Sequence, residues 1–291
     1  MKGLSICIPV YNYNCIETIK ILCKQIEELS INSQIIVFDD ASPHDLNDLS
    51  GFKNPNYSYK KLPQNVGRSK IRNLLANAAI YNSILFLDGD SGIQDNFIKN
   101  YVETIAAHPN SVICGGRIHL FTSYPEKKLR YRYGVKFEDT KALKRNKAPY
   151  KSFMTNNFVV TKQIMASIPF NEKLNKYGHE DTFFGYELNK NHISIIHIDN
   201  AVIHLDLENS NEFIEKTKNG IENLVLLKNT YPDFISHSKL LSLIETFKIL
   251  KFKPIKYVSK ILASYFEKTT CKTNNIYRFQ LFKLFYTITI S

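Results

Sequence analysis

Residues 4–38 read LSICIPVYNYNCIETIKILCKQIEELSINSQIIVF, and their pattern decides the fold. Leu4–Val10 is a short, unbroken apolar run of the kind a strand shows when both of its faces are buried. From Glu17 to Leu29 the spacing changes. Ile19, Leu22, Cys23, Ile26 and Leu29 recur every three or four positions, which marks a helix with one buried face. Ile35–Phe38 is a second buried run. The alternation continues outward from there. Ser69–Ala79 sets Ile71, Leu74, Leu75 and Ala78 on one helical face, Ile84–Leu87 is a third run, Asn96–Ala107 is helical, and Ser111–Cys114 opens another strand. This order predicts an α/β fold: a mostly parallel sheet covered by helices on both faces. Ligands on such sheets bind beyond the carboxyl ends of the strands.

The pattern weakens over residues 121–151, FTSYPEKKLRYRYGVKFEDTKALKRNKAPYK, which are polar, basic and aromatic. A long surface loop or lid is expected there. Order returns with an apolar run at Phe158–Thr161, a helix near Asp181–Asn189, a strand at Ile193–Ile198, and then His204. Helical patterns follow from Glu212 to Lys228 and beyond Ser238, with Pro254 expected to separate two helices.

The composition, 44% hydrophobic and 22% charged over 291 residues, fits a packed core rather than disorder. Of the net charge of +11, +8 lies within residues 236–291, where ten Lys and Arg face two Glu. A basic tail on a near-neutral domain suggests docking on something anionic, lipid or nucleic acid. No nucleic-acid recognition motif accompanies the charge, so no nucleic acid is expected. Residues 239–266 mix Leu, Ile and Phe with spaced Lys. They read equally as basic helices lying on an anionic membrane or as helices packed on the domain with a solvated Lys face. The five cysteines are odd in number and form no C-x-x-C pair, which fits reduced thiols in a cytosol. No run reaches the ~18 apolar residues of a membrane span.

Acidic residues gather where the sheet should open. Asp39-Asp40 follow one strand, Asp88-Gly89-Asp90 follow another, and Glu180-Asp181 precede a helix. Carboxylates collected at one edge repel unless a cation, a proton or hydrogen-bond donors compensate. A hard divalent cation, Mg²⁺ or Mn²⁺, is the simplest compensator, and it keeps positions open for phosphate. Gly89 lets the backbone bend and leaves room for a ligand. Taken alone, the same residues also read as an ordinary Asp-Gly turn. An EF-hand is excluded, because Gly92 sits at a ligand position, Ile93 replaces the required Gly, and Lys99 replaces the bidentate Glu. G-x-G-x-x-G, G-K-[ST] and G-x-S-x-G are absent, and Phe183 breaks an H-E-x-x-H begun at His179.

In order, the chain carries Ile8-Pro9-Val10-Tyr11-Asn12, Asp39-Asp40-Ala41-Ser42, Asn65-Val66-Gly67-Arg68-Ser69 with Arg72-Asn73, Asp88-Gly89-Asp90, Gly178-His179-Glu180-Asp181, and His204. Over roughly residues 3–205 this series resembles glycosyltransferase family 2, whose members have the GT-A fold. The resemblance implies that Pro9, Tyr11 and Asn12 meet the base of a nucleotide. Asp40, with Asp39 behind it, would hold the base or ribose. Asn65, Gly67, Ser69 and Arg72 would line a helix start near the nucleotide, a sensible anion site. The bland alternatives are a helix cap for Ser69 and a salt bridge for Arg72. Asp88, Gly89 and Asp90 would meet the donor, with Asp90 the more direct metal ligand and His204 a further one. Asp181 would be the general base, with Glu180 beside it and a pKa raised by that neighbour. The alternative is a pair of acids favoured by a helix dipole.

The resemblance further implies an inverting displacement. The acceptor hydroxyl attacks the anomeric carbon, Asp181 takes the proton, and Mn²⁺ or Mg²⁺ neutralises the leaving diphosphate. Residues 121–151 and 153–157, with His179, would shape the acceptor pocket. The implied partners are a nucleotide-diphosphate sugar and a glycan or lipid-linked glycan of surface polysaccharide or glycoconjugate assembly. The expected organisation is a GT-A domain over 1–210, with a nucleotide-binding half 1–118 and an acceptor-binding half 119–210. A basic helical extension over 211–291 would follow. A cytoplasmic location is expected, with residues 239–291 able to meet the inner face of the membrane. The alternative is a non-catalytic relative that binds a nucleotide or glycan.

Overall fold

The computed structural model describes residues 2–174, 176–247, 250 and 252–291. Along them the chain runs β1 (Leu4–Val10), α1 (Ile16–Leu29), β2 (Ser33–Asp39), α2 (Asn47–Gly51), β3 (Tyr57–Lys61), α3 (Arg68–Ala78), β4 (Ser83–Leu87), β5 (Ser91–Gly92), α4 (Phe97–Ala107), β6 (Val112–Cys114), β7 (Arg117–Ile118), α5 (Lys128–Phe137), α6 (Ala142–Arg145), β8 (Asn157–Thr161), α7 (Lys162–Ser167), α8 (Glu180–Lys190), β9 (Ile195–His197), β10 (Val202–His204), α9 (Ser210–Thr230), α10 (Lys239–Thr246), α11 (Lys253–Thr273) and α12 (Ile276–Ile290).

The unbroken apolar runs become the middle of the sheet because each strand feeds two layers. In β1, Leu4, Ile6, Ile8 and Val10 pack with Ile19, Leu22 and Ile26 of α1 and with Phe97 and Ile98 of α4. Cys7 faces the other way, into a cluster with Ile71 and Leu75 of α3, Ile164 of α7 and Phe184 of α8. Helices therefore cover both faces, as expected from the alternation. Each such side chain contributes about 1.5–3 kcal/mol when fully buried.

The main sheet has the order β3-β2-β1-β4-β8-β6-β9. β1 pairs parallel with β2 and β4, β2 with β3, and β6 with β9. β8 runs antiparallel between β4 and β6. A second sheet of β5, β10 and β7 lies past the end of β4, with β10 in the middle.

Residues 121–151 are not the long loop expected. They form α5 and α6, with 3₁₀ turns at Pro125–Lys127 and Tyr150–Ser152. The buried residues of α5 are Leu129, Arg130 and Gly134. One charged residue and one glycine on the inner face leave no apolar period to read.

The C-terminal helices pack on the domain. Asn209 caps α9 in a capping box with Glu212. Leu224 and Leu227 of α9 join Phe183, Tyr186, Phe234 and Leu241, while Ile214 joins Leu129 of α5 and Phe279 and Phe282 of α12. Pro254 lies in the first turn of α11, where its missing N–H costs nothing. Among the described residues, no helix is long and apolar enough to cross a membrane.

Candidate active site

The carboxyl ends of β1 and β2 form one rim of the site. Tyr11 and Asn12 follow β1 and are exposed, Tyr11 by 55%. The Asn12 N–H donates to Ser42 Oγ at 2.7 Å, which fixes the turn with Asn12 at φ +53°. Asp39 is fully committed inside the protein. Its Oδ1 accepts from the Ser42 N–H and hydroxyl at 2.8 and 2.6 Å, and its Oδ2 from the Tyr59 hydroxyl at 2.7 Å. Asp40 holds the next segment, accepting from the Val66 and Gly67 N–H groups at 2.7 and 3.0 Å. Asn65 stays exposed just before that anchor. Gly67, not Ser69, is the N-cap of α3. Ser69 is buried within the first turn, and its hydroxyl has no hydrogen-bond partner among the described residues.

Arg72 draws two acidic motifs together. It is 2% exposed, and its Nη2 donates to Asp88 Oδ1 at 2.7 Å. Its Nη1 lies 3.7 Å from Glu180 Oε1. Arg68 also reaches Glu180, at 3.6 Å, and Arg117 reaches the second Asp88 oxygen at 3.4 Å. Both oxygens of Asp88 thus face guanidinium groups. At Gly89 an added Cβ would sit 2.9 Å from Val10 Cγ1, so no side chain fits between the turn and β1. The turn closes no hairpin with the preceding strand, and β5 instead pairs with β10.

That pairing brings Asp90 to His204. Ser91 stands opposite His204 in the ladder, and the Leu205 N–H donates to the Asp90 carbonyl at 2.9 Å. Asp90 Oδ2 and His204 Nε2 lie 3.0 Å apart. Burial works to raise the Asp90 carboxyl, but the His204 hydrogen bond and the Arg117 charge outweigh it and hold the group below the usual carboxylate range. Among the described residues no three His, Cys, Asp or Glu side chains gather as a metal-holding group. Asp90 and His204 are the pair that comes together, one oxygen and one nitrogen donor. Such a pair leaves most positions around a Mg²⁺ or Mn²⁺ to phosphate and water.

Behind His204 stands a set of residues that the motifs do not mark. His119 Nε2 lies 3.3 Å from His204 Nδ1, and His119 Nδ1 lies 2.6 Å from Asp139 Oδ1. The His119 N–H donates to the other Asp139 oxygen at 3.1 Å. Arg130 Nη2 donates to Glu138 at 2.9 Å, and Arg130 Nε donates to Glu208 at 3.1 Å. Gly134 of α5 lies against the His119 ring with no room for a Cβ. The one sequence signal was proximity: Arg117 and His119 follow the run ending at Cys114, as Asp39 and Asp88 follow theirs.

Glu180 and Asp181 open α8 after Gly178 and His179, both at positive φ (+93° and +67°). Burial raises Glu180, but Arg68 and Arg72 outweigh it and lower its pKa. Asp181 goes the other way, pushed up to about 6 first by burial and then by the Glu180 charge. His179 lies against α9, where an added Cβ on Gly220 would be 3.5 Å from its ring, and burial lowers its pKa to about 4. Asn223 of α9 donates to the carbonyls of Lys176 and Gly178 at 2.9 and 2.8 Å and fixes this loop. Residues 153–157 do not line an open pocket. Phe153, Thr155, Asn156 and Asn157 are buried, and the Asn156 carbonyl accepts from the Asp88 N–H at 3.0 Å.

The strand ends of the sheet, the Asp-Gly-Asp turn and the acidic helix start thus come together at one side of the fold, where α/β sheets bind their ligands. The family model described as "Glycosyl transferase family 2" matches residues 5–168, more than half of the chain, and the chain belongs to that family. It is similar to a chondroitin synthase of Escherichia coli, 26% identical over 223 residues that make up 65% of this chain and 32% of that protein. A hyaluronan synthase of Pasteurella multocida is 26% identical over 219 residues, 64% of this chain and 22% of that protein. The chain thus spans a third or less of the length of these curated relatives. In structure it is similar to S. aureus TarS. The structure of TarS 1-349 matches with a TM-score of 0.51 and 17% identity, covering 99% of this chain and 90% of that one. A second TarS structure gives a TM-score of 0.53, covering 99% and 55%. These likenesses bear out the GT-A fold.

Proposed function

We propose that this chain is an inverting glycosyltransferase that moves a sugar from a nucleotide-diphosphate donor to a hydroxyl of a glycan or lipid-linked glycan in polysaccharide or glycoconjugate assembly. The carrying observation is Arg72, a buried guanidinium 2.7 Å from Asp88 and 3.7 Å from Glu180, which draws the Asp-Gly-Asp turn and the acidic helix start together. Residues 1–118 serve as the nucleotide half and 119–210 as the acceptor half. Exposed Tyr11, with Pro9 and Asn12, receives the base. Asp40, Asn65, Gly67 and Ser69 shape the donor rim, and Arg72, Asp88 and Gly89 set the diphosphate end. The family membership and the names of the relatives support this chemistry.

Asp90 and His204 fit a divalent cation, Mn²⁺ or Mg²⁺, as an oxygen and a nitrogen donor 3.0 Å apart. Asp88 is the weaker donor of the turn because Arg72 and Arg117 already neutralise it. When bound, the cation supplies charge neutralisation for the departing diphosphate. Asp181 accepts the acceptor's proton, and Glu180, held ionised by Arg68 and Arg72, keeps Asp181 basic enough for the task. Leu120, Phe121 and Tyr124, exposed by 57, 77 and 62%, follow His119 and offer apolar faces to an acceptor sugar. Residues 239–291 of the extension meet the anionic inner face of a membrane.

Release of nucleoside diphosphate from a panel of nucleotide sugars, with glycan acceptor and Mn²⁺, tests the reading. Mn²⁺-dependent release that rises with acceptor is expected. Binding of nucleotide without turnover would instead favour a non-catalytic relative.

A further inference from the structure

α11 is amphipathic in an unusual sense: the face turned to solvent carries apolar side chains. Tyr257, Val258, Ile261 and Tyr265 are 69, 52, 56 and 55% exposed. They stand at i, i+1, i+4 and i+8, which is one stripe on a helix of 3.6 residues per turn. Phe252, 62% exposed, caps the same end of the helix. The inward face is committed. Ser259, Ala263 and Thr270 are buried on the opposite side, and Phe266 stacks on Phe285 of α12 with ring centroids 5.7 Å apart. The stripe therefore cannot turn inward without unpacking the α11–α12 pair.

The charges around the stripe identify its occupant. Lys253, Lys260 and Lys268 are exposed and flank or interrupt it within the same outward arc. Lys256 and Lys283 turn elsewhere, toward the Ser291 carbonyl and the Tyr133 hydroxyl. Aromatic and aliphatic side chains with lysines beside them match an anionic bilayer surface. There the rings enter the headgroup–acyl boundary while the ammonium groups stay with phosphate. A protein partner of ordinary composition would leave three lysines to be neutralised one by one. A self-pairing face would oppose like charges.

We infer that α11 lies flat on an anionic lipid surface, with Tyr257, Val258, Ile261 and Tyr265 inserted. This rests on the membrane reading of the extension and specifies the surface that makes the contact. α12, on the other side of α11, packs against α9, whose Gly220 and Asn223 brace the loop before Glu180. The inference thus sets the lipid on the outer side of the helices that back the acidic helix start.

Co-sedimentation of the full chain with vesicles of phosphatidylcholine alone, or with one-third phosphatidylglycerol, tests it. Binding to the anionic vesicles that weakens in high salt is expected. Ile261→Glu/Tyr265→Ser should reduce it at least tenfold and Lys260→Glu/Lys268→Glu several-fold, with unchanged nucleotide release on a soluble acceptor and unchanged Tm. Wild-type-like binding by the Ile261→Glu/Tyr265→Ser variant would overturn the inference while leaving the membrane reading to other parts of the extension. No binding by the wild-type chain would overturn both. A wild-type dimer that becomes a monomer in that variant would assign the stripe to a second copy and overturn the lipid. Nucleotide release in solution measures the transferase reading separately from all of these.

Discussion

As the proposed base, Asp181 must be empty of its proton to act, and its pKa, pushed up to about 6 by burial and the Glu180 charge, places that requirement near neutrality. Below that pH the group fills and the base is lost. Transfer rates should therefore fall about tenfold per unit as pH drops below about 6 and level off above it. A profile flat from pH 5 to 7 would move the base away from Asp181. Asp181→Asn should keep the donor-induced thermal shift and lose transfer by at least about a hundredfold. At the neighbouring donor pair, His119→Ala should weaken Mn²⁺ binding about 10–100-fold, read by electron paramagnetic resonance titration, because outer partners of a ligand imidazole set its orientation. His119→Gln should recover part of that loss, and unchanged affinity would reduce His119 to packing. The acids and His204 stood out in the sequence because each is a polar, potentially ligating residue that directly follows, or closely neighbours, an apolar run. His119, Arg117, Arg130 and Asp139 did not. Their meaning is a set of distances, such as the 2.6 Å from His119 to Asp139, and no spacing in the chain encodes it. Arg72 makes a salt bridge, and the bridge runs between two motifs.

Among the elements, α5 makes the sharpest test. Glycine inside a helix costs roughly 1 kcal/mol against alanine, so Gly134→Ala should stabilise α5 taken alone. The added methyl would instead enter the His119 ring. The expected result is a loss of Mn²⁺ affinity similar to that of His119→Ala, with a fall in stability of about 1–3 kcal/mol by denaturant unfolding. Asp40→Ala should cost about 1–3 kcal/mol by the same measurement, because the Val66 and Gly67 N–H groups lose their acceptor. The strands and helices of the first hundred residues could be read because a sheet buried on both faces needs unbroken apolar runs. Besides α5 and α6, shorter or exposed features escaped. β3, YSYKK, is a half-exposed edge strand, while β5 and β7 are two residues each and too short for any period. The direction of β8 was hidden because NFVVT is equally apolar read either way.

For the molecule as a whole, the C-terminal helices supply part of the core that the first 210 residues lack. Phe279 and Phe282 of α12 cover Leu129 and Ile214. Removing residues 276–291 should lower stability by more than about 3 kcal/mol, since two large aromatic side chains leave together. Calorimetry or denaturant unfolding of the shortened chain would check it, and an unchanged Tm would make α12 an ornament. The excess of Lys here was visible in the sequence. Which of its faces would be apolar and outward was not, because one tail sequence supports a packed pair of helices and a solvated one alike. The β5–β10 ladder has a different kind of consequence, in time. It joins Asp90 to His204 across 114 positions of chain. Closing so wide a span is slow relative to local helix formation, and it waits for residue 204 to exist at all. A nascent chain emerging from its ribosome would therefore carry the Asp-Gly-Asp turn for a long stretch of synthesis without any grip on a cation. On the proposed cation reading, ion affinity would arrive only once residue 204 has been made and paired.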